Sequence, residues 1–205
     1  MTTYEAAVIG AGPTGLVAAL ALARMGIEVA LVGPGVRPCG SDPRTPPADQ
    51  RTSALMRPSI QLLKNVGVWE MGSDPQGLTP SAPIAAVRIA DDRRGLIRAP
   101  ELLFRASELG LESFGANIAN PILLAGLRTA AERAARLVGV ETAGVTSLAP
   151  GAQSVRLELA EGGAVEAALA VAADGRNSIA RKAAGIAADT WAYPQAALAT
   201  SFRHS

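Results

Sequence analysis

The 205-residue chain carries one cysteine, Cys39, and one histidine, His204. A single thiol excludes an intramolecular disulfide and suits a reducing compartment. With one residue of each kind, a cysteine/histidine metal cluster is excluded as well. Aromatic residues make up 3% of the chain, too few for the stacking platforms of a single-strand nucleic-acid binder. Formal charge is only +1, with no long run of either sign, so nucleic acid is not an expected partner. The N-terminus, MTTYEAAVIG, lacks the basic segment of a secretory signal. The apolar stretch at 16–23 is too short to span a bilayer and is followed by Arg24. These absences describe a soluble cytoplasmic protein, with peripheral membrane contact left open.

What is present is apolar bulk. Hydrophobic residues are 49% of the chain and charged residues 18%, enough to build a buried core. Residues 5–9 (EAAVI) read as a strand buried on both faces, and 13–25 as a largely buried helix closed by Gly26. EVALV at 28–32 reads as a second buried strand. Strand, helix, strand with short links is a βαβ unit with parallel strands. A proline-rich loop fills 33–50, then an extended tract at 52–55 leads into a helix at 57–66, with Leu62, Leu63 and Val66 facing inward. Residues 83–98 read as strand, turn, strand. Asn120 and Pro121 open a helix predicted to run to about Leu137. Residues 154–175 read as a hairpin turning at Gly162-Gly163 and leading into a buried strand at 169–173. A short helix follows Asn177, and a strand begins in the tail.

Gly10, Gly12 and Gly15 form G-x-G-x-x-G between the first strand and its helix, the context in which this pattern has a mechanism. Gly10 permits the tight turn, and Gly12 lets a pyrophosphate approach the backbone with no Cβ in the way. Gly15 allows close packing of helix on strand, and the helix N-terminus offers free N–H donors to phosphate. The same template puts a ribose-binding acid at the end of the second strand, where this chain has Gly33. Glu28 is no substitute, because it starts that strand. The adenosine ribose is then left to backbone groups, water, or a loop side chain such as Arg37 or Arg44. An arginine there also suits a 2′-phosphate, so the glycines alone leave NADP open.

Two further stretches narrow the choice. ADQRTSALMRPSIQLLKNVGVW (48–69) carries D-x-R-x-x-A-L as Asp49, Arg51, Ala54 and Leu55. ADGRNSIARKAAGI (173–186) carries D-G-x-x-S-x-x-R as Asp174, Gly175, Ser178 and Arg181. With GAGPTG, these resemble the FAD-dependent aromatic hydroxylases of the p-hydroxybenzoate hydroxylase fold. ELGLESFGANIAN and WAYPQAALAT resemble the branch that hydroxylates ubiquinone precursors.

The resemblance implies an α/β chain: a Rossmann-like FAD-binding βαβ domain with part of a mixed β-sheet substrate domain. On that template the FAD domain occupies 1–75 and 113–187, and substrate-domain segments occupy 76–112 and 188–205. The resemblance further implies FAD as cofactor and NAD(P)H as electron donor. Reduced flavin then reacts with oxygen, one atom going to the ring of a polyprenylated phenol and the other leaving as water. Gly10, Ala11, Gly12, Pro13, Thr14 and Gly15 would hold the pyrophosphate. Arg51 would lie near the ribityl and phosphate side, and Asp174 with Gly175 would match the family's D-G motif, implicated in both FAD and NAD(P)H binding. A greasy substrate implies contact with the inner membrane face or a biosynthetic complex.

The sequence also departs from the pattern. Ala119 stands where the branch often has glutamate, no later G-D motif follows, and the family runs to about twice this length, so a truncated chain is expected. No base can be placed against a phenol, so catalytic residues stay unknown, and no metal site is expected. Plainer roles compete: Arg51 as a surface arginine, Asp174-Gly175 as a strand-ending turn with Ser178 in a first helical turn, Cys39 as a loop thiol. Trp69, Trp191 and Tyr193 read as packing residues. Two other functions stand beside the hydroxylase: an FAD-dependent reductase or dehydrogenase of the same fold, and a non-catalytic FAD-binding fragment.

Overall fold

The computed structural model describes residues 3–36, 51–69, 81–90 and 100–196. Two compact units emerge, Met1–Ala48 with Leu123–Ala199, and Asp49–Ile122 with Thr200–Ser205.

The first unit is built on one six-stranded sheet. β1 (Thr3–Ile9), β2 (Val29–Gly33), β8 (Leu137–Glu141) and β11 (Ala164–Ala172) run parallel. β9 (Val145–Pro150) and β10 (Val155–Leu159) complete it as an antiparallel meander, in the order β8-β2-β1-β11-β10-β9. Helix α1 (Pro13–Arg24) packs on β1 and β2 and buries the stripe Gly15, Leu16, Ala19 and Leu20. β2 is buried at every position, as a central parallel strand covered on both faces must be. Val8, Leu16, Val29, Leu31, Val32, Leu127 and Leu157 are sealed from solvent, each such side chain contributing about 1.5–3 kcal/mol by burial. Helix α3 (Asn120–Arg133) brings Leu123, Leu127, Ala130 and Ala131 into the core, and the short α4 (Ile179–Ala183) packs on β9.

The second unit holds an antiparallel sheet of β3 (Thr52–Met56), β7 (Gly115–Ala119) and β4 (Ser81–Pro83), with α2 (Arg57–Asn65) packed on β3 and β7. A separate ribbon pairs β5 (Ala86–Ile89) with β6 (Leu102–Arg105).

Several expectations need correction. The helix opened by Asn120 stops at Arg133, not Leu137. Residues 137–141 instead form β8, because the exposed edge of β2 offers a full parallel ladder, Val29 to Leu137 through Gly33 to Glu141. Tertiary pairing overrides the helical propensity of the alanine-rich run. The hairpin arm and the strand at 169–173 are one continuous β11, antiparallel to β10 on one edge and parallel to β1 on the other. Its distal part is not buried: Leu169 is 53% exposed. Leu63 and Val66 do face inward, but Leu62 is 45% exposed, one residue off the inward stripe of the helix. Trp191 and Tyr193 are exposed, lying in a segment without regular structure. The turn expected at 91–95 and the strand expected after it, Asp49, Cys39, Arg37, Arg44, the tail from 197 and His204 lie outside the described residues.

Candidate dinucleotide site

The glycine loop sits at the C-terminal ends of the parallel strands, the edge at which open α/β sheets bind ligands. The Gly10 N–H donates to the Val32 carbonyl (2.7 Å), and the Ala173 N–H donates to the Ile9 carbonyl (2.8 Å). The loop is thereby wedged between the ends of β2 and β11. Gly10 has φ +106, and a Cβ there would overlap the Ala173 carbonyl oxygen. A Cβ on Gly15 would overlap the Gly10 carbonyl oxygen. Those two glycines are demanded by the protein's own backbone.

Gly12 differs. Its φ is −74, and a Cβ built on it meets nothing within 4 Å. No packing or strain inside the fold requires glycine here, yet the residue lines a cleft of about 580 Å³. The missing side chain leaves open space on the side of that cleft. Gly12 is also the N-cap of α1, Pro13 follows in the first turn, and no side chain caps the helix or places an acid there. Among the described residues, the first-turn N–H groups of Thr14 and Gly15 therefore lack both intrahelical and side-chain partners, and no acid in the first turn offsets the positive end of the helix dipole. A diphosphate fits this cradle in shape and charge.

The rest of the cleft comes from three places. Gly33 and Pro34 leave the end of β2, Leu124 and Arg128 project from one face of α3, and Ala143, Gly144 and Val145 form the turn between β8 and β9. That last turn, unforeseen in the sequence, is clamped from outside. The Glu161 carboxylate accepts from the Ala143 N–H (2.6 Å) and from the buried Thr142 hydroxyl (2.5 Å). The Thr142 hydroxyl, foremost, and the Ala143 amide hold the Glu161 carboxyl below the ordinary glutamate value. Nothing in the sequence marks Glu161 for this, since its partner lies across the hairpin.

At Gly33 the structure explains the absent acid. Its φ is +155, and a Cβ would come within 3.2 Å of the Ala11 nitrogen and 3.3 Å of the Gly10 Cα. β2 ends too close to the glycine loop for any larger residue to sit easily.

Asp174 and Gly175 line the same cleft, beside Asn177 and Ile179. One Asp174 oxygen, Oδ2, accepts from the Ile179 N–H (2.7 Å) and the Ala180 N–H (3.2 Å), while Ser178 accepts from the Arg181 N–H (2.9 Å). Together they cap α4. Burial pushes the Asp174 carboxyl up, but bonds from Ser178 and from the Ala180 and Ile179 amides outweigh it and hold it below the usual aspartate value. Arg51, in the other unit, precedes β3. Its carbonyl accepts from the Asn120 N–H (3.0 Å), and the Asn120 Oδ1 accepts from the Ser53 hydroxyl (2.6 Å). These bonds tie β3 to the start of α3.

A family model described as an FAD binding domain matches residues 3–204. The chain belongs to this FAD-binding family. The FAD-binding chain is 30% identical over 203 residues to the 3-demethoxyubiquinol 3-hydroxylase of Escherichia coli, covering 96% of this chain and 48% of that protein. It is 29% identical over 201 residues to the ubiquinone hydroxylase UbiL of Rhodospirillum rubrum, covering 96% and 43%. It thus spans about half the length of these curated relatives. The p-nitrophenol 4-monooxygenase PnpA of Pseudomonas putida shares its fold, with a TM-score of 0.66 at 19% identity over 90% of this chain and 44% of that one.

Proposed function

We propose that this chain is the FAD-binding portion of an NAD(P)H- and O2-dependent monooxygenase that hydroxylates an aromatic ring, a polyprenylated phenol of ubiquinone biosynthesis. The observation carrying the reading is Gly12: a position with no internal need for glycine, at an uncapped helix N-terminus, facing a cleft. Relatives named a ubiquinone hydroxylase and a 3-demethoxyubiquinol 3-hydroxylase support the choice of substrate class. Bound FAD would supply the redox chemistry with oxygen.

In this reading the backbone from Gly10 through Ala11, Gly12, Pro13 and Thr14 to Gly15 binds the pyrophosphate. Arg51 serves the ribityl and phosphate side, and Asp174 with Gly175 closes the far wall while capping α4. Residues 76–112 and 188–205 belong to the substrate domain. A polyprenyl tail favours peripheral contact at the inner membrane face or within a biosynthetic complex.

Two measurements test this. Titration of the chain with FAD should quench flavin fluorescence saturably. In a protein carrying this segment at the length of its relatives, oxygen uptake should match formation of a hydroxylated polyprenyl phenol. Reduction of the flavin by NAD(P)H with no oxygen inserted into the ring would reject the hydroxylase.

A further inference from the structure

Arg128 sits on α3 four residues after Leu124, and both line the cleft. Its Nε is buried and has no hydrogen-bond partner. No carboxylate among the described residues forms an ion pair with it. The guanidinium lies over the turn that leaves β2: a Cβ on Gly35 would come within 2.6 Å of the Arg128 Nη2. That turn is held in place from the other side by Glu141, which pairs with Gly33 across β2 and β8 and accepts from the Gly35 N–H (2.7 Å). The end of β2, where the dinucleotide template expects an acid, thus carries a glycine with an arginine nearby.

A buried N–H donor without a partner destabilises a folded protein. A guanidinium is retained in such a place most readily when a ligand completes it, and its donors match hydroxyl and phosphate oxygens. Resting on the FAD reading above, we infer that Arg128 binds the adenosine diphosphate half of the dinucleotide in place of the missing ribose acid. The site recognises ribose and phosphate oxygens by donating to them from a cation, where an acid would accept.

The test uses ADP, which carries this half and no flavin, titrated calorimetrically into the 205-residue chain and its variants. Arg128→Met keeps the length of the side chain and removes its donors. Loss of a charge-assisted contact corresponds to roughly 10- to 100-fold weaker ADP binding. The melting temperature without ligand should hold or rise, because a buried orphan donor has been removed. A merely structural arginine would give the opposite sign, a lower melting temperature. Arg128→Lys keeps the charge without the planar fork and should fall between parent and Arg128→Met, which also covers the case of a methionine variant that does not fold. Unchanged ADP affinity in Arg128→Met, or lysine binding no better than methionine, overturns the inference while leaving the FAD reading intact. A parent chain that binds neither FAD nor ADP overturns both.

Discussion

Gly10, Gly12, Gly15 and Gly33 are not equivalent, and substitution should separate them. Gly12→Val should leave the fold within about 1 kcal/mol of the parent, since Gly12 has ordinary dihedrals and open space beside it. Flavin affinity should nevertheless fall at least about tenfold, the least expected from losing a backbone contact to phosphate. Gly15→Ala should act in reverse order, costing about 2 kcal/mol or more of stability before any ligand is considered, because its Cβ would overlap the Gly10 carbonyl. Melting curves paired with fluorescence titrations distinguish the two. The spacing of these glycines was legible in the sequence because it is local. Arg128 was not, because nothing in the pattern of an alanine-rich helix shows which of its cations will face a strand end more than ninety residues earlier.

Among the elements, the βαβ unit was readable because α1 and β2 bury continuous apolar runs. β8 and β9 were missed: LVGVE becomes a strand only because β2 has an edge to pair with, and that partnership is invisible to local propensity. Two predictions concern these elements. Leu127, fully buried on α3, should cost about 2–5 kcal/mol when cut to alanine, measured by urea unfolding. Glu161→Gln should release the turn after β8, and amide exchange at Ala143 and Gly144 should quicken in the variant. Because that turn lines the cleft, ADP binding should weaken in the same variant.

For the whole molecule, acid sensitivity follows from two carboxyls. Asp174 and Glu161 both titrate lower in the folded chain than in the unfolded one. The stability they contribute is complete above the ordinary carboxylate range, about pH 4, and drains away as pH falls through the depressed folded values. Denaturant midpoints measured from pH 6 down to pH 3 should therefore decline mainly below pH 4, and less steeply in Asp174→Asn. Among the described residues no helix is long and apolar enough to cross a membrane. At this scale the α/β class and the FAD-binding family were legible in the sequence, because the glycine loop and its βαβ unit are contiguous; the division at Ala48 and Leu123 depends on which strands share a sheet.

The position of β1 has a temporal consequence. It precedes every other described strand, yet one of its two neighbours, β11, consists of residues 164–172. Until residue 172 has been synthesised, one edge of β1 stays open to any passing strand, native or foreign. A nascent chain halted before residue 164 should therefore clump more readily than one released after residue 172.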